Sequence, residues 1–191
     1  MRTRKLPVAM VWMAAAGVCY GAQEQITVVI FDSVGVPLAT LKEAAETARY
    51  AFRTAGVETD WSVCRISQRP LERCALPLDE SYLQAKVVPQ NWGLKSHEDL
   101  GLAFRAKGER SVVSYAFYEP VEALAQNTGQ SVSVVLGYVM AHEIGHLLGM
   151  KHSPSGIMKP HFDPRDLRDA ATGSLRFTTP HAKALRPSAL V

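Results

Sequence analysis

The spacing of apolar positions changes several times along the chain, and each change marks an element. Ile26 to Phe31 (ITVVIF) is an unbroken, largely β-branched run, as expected of a strand buried on both faces. From Leu41 to Ala55 the spacing becomes helical, with Ala44, Ala45, Ala48, Ala51 and Phe52 on one repeat and Gly56 placed to stop it. Val57 to Cys64, which contains Trp61, alternates in part and predicts a second strand. Strand, helix and strand in that order predict parallel pairing through a crossover helix. Arg65 to Glu80, with Pro70 and Pro77, reads as a loop, and Tyr82 to Val88 as a third strand. Leu100 to Phe104 and Ser111 to Tyr118 are short strands separated by the polar turn Ala106–Arg110. A helical pattern begins at Glu119, Ser131 to Leu148 is the longest helix, and the Pro- and Arg-rich tail after Gly156 has room for two short helices. There is no internal repeat and no low-complexity linker, so 191 residues predict a single domain.

The N-terminus belongs outside that domain. Arg2, Arg4 and Lys5 precede the apolar run Val8–Tyr20, then Gly21 and Ala22, then polar residues. This is the order of a secretory signal peptide over residues 1–22, and the run is too short to span a bilayer. The three basic residues of the head equal the whole formal charge of +3, so the remainder, residues 23–191, is neutral. A neutral chain offers no electrostatic case for nucleic acid or an anionic membrane as partner. Export, to a periplasm or beyond the cell, also bears on the cysteines. Cys19 leaves with the head, and Cys64 and Cys74 remain as an even pair bound for an oxidising compartment, which predicts a disulfide. Lipid anchoring through Cys19 is the lesser reading, because Val18 before it is larger than that signal usually wants.

Chemistry concentrates in His142-Glu143-Ile144-Gly145-His146-Leu147-Leu148-Gly149-Met150-Lys151-His152. Residues four apart on a helix share a face, so His142 and His146 project side by side and can take two corners of a zinc tetrahedron. Glu143 lies about 100° round the helix and reaches a water rather than the same corner. Gly149 is suited to end the helix in the left-handed conformation, which turns the chain so that His152 can return as third ligand. A downstream glutamate is excluded as third ligand, since none follows Glu143; Asp163, Asp166, Asp169 and His161 stay formally open. His97 and His181 show no ligand spacing and read as surface residues. Fixing a Gly and a His at set offsets makes an accidental match rarer by roughly several hundredfold at ordinary residue usage.

This extended signature, with Met158 six residues past the last histidine, resembles that of the metzincins. The segment from HEIGHLL to HSPSGIM also resembles small exported metzincin-like proteases of bacteria. The resemblance implies one α/β domain with a mixed, mostly parallel sheet, an antiparallel edge strand and an active-site helix. An upper part (23–149) would stand over a small irregular lower part (150–191). It implies one catalytic zinc ion on His142, His146 and His152, with Met158 as an apolar floor beneath the imidazoles. It also implies an edge strand at Leu102 and Ala103 that pairs with an extended substrate. Some metzincins carry a tyrosine two residues past that methionine; here the position is Pro160, so no tyrosine role follows. Others use a cysteine to cap the metal in a latent form; Arg73-Cys74 is faintly similar, but Cys64 offers Cys74 a partner.

The expected activity is zinc-dependent hydrolysis of peptide bonds by a monomer, with peptide or protein as substrate and Glu143 as the general base. Zinc lowers the pKa of water from ~15.7 toward ~7, and activity should fall in acid because protonated histidines cannot ligate. The alternatives are a cell-envelope zinc amidase or deacylase, and a non-catalytic module that keeps zinc for folding. A purely structural site usually closes its fourth position and has no use for the Glu143 carboxylate.

Overall fold

A computed structural model describes residues 25–65, 74, 82–90, 99–104 and 112–185. The signal segment, His97, the Ala106–Arg110 turn and nearly all of the 65–80 loop lie outside the described residues. Five strands form one sheet: β1 (Ile26–Asp32), β2 (Thr59–Arg65), β3 (Leu83–Val88), β4 (Gly101–Ala103) and β5 (Val113–Phe117), in the order β2-β1-β3-β5-β4. The β1–β2, β1–β3 and β3–β5 pairs are parallel, and β4 runs antiparallel to β5. The sheet is therefore mixed and mostly parallel with one antiparallel edge, as expected. Val28, Val29 and Ile30 have no exposed surface, which is why β1 reads as continuous rather than alternating.

The crossover between β1 and β2 is α1 (Leu38–Thr54), three residues longer at its start than its apolar repeat suggests. Leu41, Ala44, Ala45, Ala48, Ala51 and Phe52 are its buried residues. After α2 (Tyr118–Thr128) comes α3 (Val132–Leu147), the helix that carries the histidines; nearly all its residues are buried, so it runs through the core rather than along its surface. Alanines on α1 let the two helices approach closely. A side chain at Gly137 of α3 would lie 2.6 Å from the Ala44 carbonyl oxygen, a separation real Cβ atoms do not adopt.

The tail forms α4 (Pro164–Ala171) and α5 (Thr179–Ala184), the two short helices expected there. Asp163 and Asp166 close a capping box at the start of α4, with Pro164 at a position that lacks no needed N–H. Cys64 and Cys74 are joined by a disulfide, next to a small apolar cluster of Val29 and Tyr82. No helix among the described residues is long and apolar enough to cross a membrane.

Candidate metal centre

Helix α3 ends where its sequence says it should. The Gly149 N–H donates to the His146 carbonyl at 3.0 Å, and Gly149 has φ +91°, a conformation that costs a side-chain-bearing residue about 1–2 kcal/mol. The chain reverses and brings His152 to the two helical histidines. The His146 Nε2 atom lies 3.0 Å from that of His142 and 3.1 Å from that of His152. A tetrahedral zinc with Zn–N bonds of ~2.0–2.1 Å needs ligand atoms about 3.3 Å apart, close to what is seen. Among the described residues these three histidines are the group able to hold a metal ion.

Hydrogen bonding on the far side of the rings tests whether the donors suit a cation. His142 Nδ1–H donates to the Ile157 carbonyl at 2.7 Å, and His146 Nδ1–H to the Met150 carbonyl at 2.9 Å. With the protons engaged at Nδ1, both Nε2 atoms present lone pairs toward one point, where they repel unless a cation lies between them. Burial, and then the neighbouring histidines against the Ile157 bond, lowers His142 to about 4. His152, the exposed member, is also lowered by burial and by His146 and His161. His142 is therefore neutral near pH 7, and the three rings converge on one point where a metal could sit.

Glu143 stands in the same cleft, 7% exposed. Burial, then the charge of Asp99, pushes its carboxyl up to about 8 in the metal-free chain; a dication beside it would act in the opposite direction. Its space exists because Gly101 on β4 lacks a side chain: a Cβ there would sit 2.7 Å from Glu143 Cγ and Oε1. Met158 is fully buried, and a Cβ at Gly145, between the helical histidines, would come within 2.6 Å of its sulfur. Leu102 and Ala103 lie on β4, at the end of the sheet order and on the wall of the cleft. The cleft measures about 1130 Å³ and runs between β4, α2, α3 and residues 159–162.

Two of the rival ligands, Asp163 and Asp166, are committed elsewhere, whereas His161 lines the cleft. Asp163 and Asp166 hold Lys159 at 2.5 and 2.7 Å, and His181 sits half-buried on α5 with Nδ1 3.0 Å from the Thr178 hydroxyl. What the spacing did not reveal are the carbonyls of Ile157 and Met150, Asp99 beside Glu143, and the need for Gly101. Carbonyl partners leave no side-chain signal.

Residues 79–172, which contain β3 through α4 and all three histidines, match the family model of the matrixin peptidases. Over that stretch the chain resembles the metzincin-type zinc metallopeptidases. Its fold is similar to that of archaemetzincin from Methanopyrus kandleri, with a TM-score of 0.57 and 15% identity, covering 87% of this chain and 96% of that one. At that identity the likeness concerns the fold alone. No curated protein matches the chain by sequence. The fold, the zinc use of the matched family and a centre able to seat a metal ion on His142, His146 and His152 thus agree with the motif.

Proposed function

We propose that the protein is an exported endopeptidase in which Glu143 is the general base for water attack on a peptide bond lying along β4. The observation that carries this reading is the placement of one buried carboxylate beside three converging imidazoles in an open cleft. Bound zinc supplies a Lewis acid that polarises the scissile carbonyl and acidifies water. His142, His146 and His152 hold the ion, and Met158 packs beneath them. Glu143 takes a proton from the attacking water and returns it to the leaving amine, a role suited to a carboxylate whose burial raises its proton affinity.

Leu102 and Ala103 orient the substrate. Paired with β5 on one side, β4 has its other edge turned to the cleft, and an extended peptide can add to it as a further antiparallel strand. The disulfide and the basic-apolar head of the sequence support export.

Digestion of a peptide library with and without a chelator tests the reaction class. Chelator-sensitive cleavage inside the peptides is expected; turnover of small amides alone would favour an amidase. Glu143→Gln should lower kcat by roughly 10²–10⁴-fold, the usual contribution of a general base. Zinc content should remain that of the unaltered chain. A variant that cleaves at an undiminished rate would overturn the base assignment.

A further inference from the structure

Between α4 and α5 the tail passes behind the Met158 turn, away from the cleft, and three consecutive residues there are tied to the core helices. The buried Leu175 accepts a hydrogen bond on its carbonyl from Tyr138 Oη, 3.3 Å away on α3 and one turn before His142. Phe177 packs on Phe52 of α1 with ring centroids 5.1 Å apart. Between them, the Arg176 guanidinium lies 4.9 Å from the centre of the Tyr50 ring on α1, and its Nη2–H donates to Tyr50 Oη at 2.9 Å.

The backbone of the same residue faces the metal-binding turn. The Arg176 carbonyl accepts the Ile157 N–H at 3.0 Å, and the Ile157 carbonyl accepts the His142 Nδ1–H at 2.7 Å. Ile157 is therefore held at both of its backbone polar groups, its N–H by the Arg176 carbonyl and its own carbonyl by His142. Gly156 makes the approach feasible, because it has φ +76° and a Cβ there would collide with the Arg176 carbonyl oxygen. Within the turn the Ser153 N–H donates to the Met158 carbonyl at 2.9 Å and the Ser153 hydroxyl to the Ser155 carbonyl at 2.8 Å, while Pro154 and Ser155 are exposed.

We propose that Arg176 is a positioning residue for the zinc centre. Its side chain, anchored on Tyr50, fixes the carbonyl that holds Ile157, and Ile157 in turn fixes the ring orientation and tautomer of His142. Partners of this kind orient a ligand without touching the metal. Arg176 lies past residue 172, where the matrixin match ends. The inference rests on reading His142 as a zinc ligand.

Zinc transfer from the full, loaded chain to a chromophoric chelator tests it, with thermal unfolding followed in parallel. Arg176→Ala should release zinc roughly tenfold faster, at the low end of the effects seen when a ligand's hydrogen-bond partner is removed. Arg176→Lys keeps a donor toward Tyr50 and should recover part of that loss. Arg53→Ala is the control for general loosening: Arg53 lies 5.5 Å from the centre of the same Tyr50 ring, but on α1 rather than on the tail. It should lower the melting temperature yet release zinc within about twofold of the unaltered rate, far short of the tenfold of a lost ligand partner. In the metal-free protein, nitrogen-15 spectra should show His142 protonated at Nδ1, and a tautomer mixture in Arg176→Ala. Unaltered zinc release by Arg176→Ala, or equally fast release by Arg53→Ala, would overturn the proposal. If Arg176→Ala does not fold, Tyr50→Phe decides instead, because it removes only the acceptor oxygen; unaltered release there would also overturn it. An unaltered chain that retains no zinc after dialysis would refute the ligand reading itself, a result distinct from all of these.

Discussion

Each side chain at the centre has a demand that its neighbours meet. An imidazole ligand must be turned so that Nε2 is bare; by accepting the Nδ1 protons, the Ile157 and Met150 carbonyls do this for His142 and His146. In the proposed mechanism Glu143 must stay near the attacking water without joining the ligands, and its place on α3 next to His142, opposite Gly101, suits both. His146 has the other two Nε2 atoms within 3.1 Å, so its loss removes the shared corner of the set. His146→Ala should therefore leave the purified protein with little bound zinc, as measured by metal analysis; full occupancy would contradict the ligand set. At this scale the sequence was highly legible. Histidine, glutamate and glycine at fixed offsets declare both their chemistry and their helical faces, whereas the carbonyls and the Asp99 charge belong to no motif.

Elements deliver those residues, and their ends matter most. Gly149→Ala would force a side chain into φ +91°, at a cost of about 1–2 kcal/mol, and would push His152 off its return path. The expected outcome is a melting temperature lower by roughly 2–8 °C for a chain of this size and weaker zinc binding; unchanged values would show that the turn tolerates a Cβ. At the start of α4, the Lys159 ammonium and two backbone N–H groups hold Asp163 down to about 2. A depressed carboxyl contributes stability that is fully present above its ordinary pKa near 3.8 and is lost as pH falls through about 2. Protection factors of the α4 amides, corrected for the intrinsic pH dependence of exchange, should therefore be equal at pH 5 and pH 7 and fall between pH 4 and 2, and Asp163→Asn should remove that acid-sensitive step. Strand and helix positions followed from period alone, because β1, α1 and α3 bury long apolar patterns. Helix boundaries were less legible: α1 begins at Leu38, behind Pro37, before its apolar repeat sets in.

Taken as a whole, the molecule joins a sheet and two core helices to a turn that has little core of its own. A zinc ion held by the three histidines would link α3, through His142 and His146, to the turn beyond Gly149, through His152. A ligand that binds only the folded chain stabilises it by RT ln(1 + [L]/Kd), about 4 kcal/mol when the free ion is a thousandfold above Kd. Removing zinc with a chelator should lower the melting temperature, and adding zinc back should restore it. Calorimetry that shows no difference would mean that the ion contributes nothing to cohesion.

The sequence by itself determined the element order, the paired cysteines, the single domain and the ligand candidates. These depend on local periodicity and on residue types whose chemistry is narrow. Only the tertiary structure decided which strand edge faces the cleft, which carbonyls orient the imidazoles, and that a tail residue such as Arg176 reaches the same turn as Tyr50 of α1 and His142 of α3. Those relations join distant positions, 126 residues apart for the Arg176–Tyr50 side-chain bond, and the links to the imidazoles run through backbone carbonyls, which acquire an address only when the chain has folded.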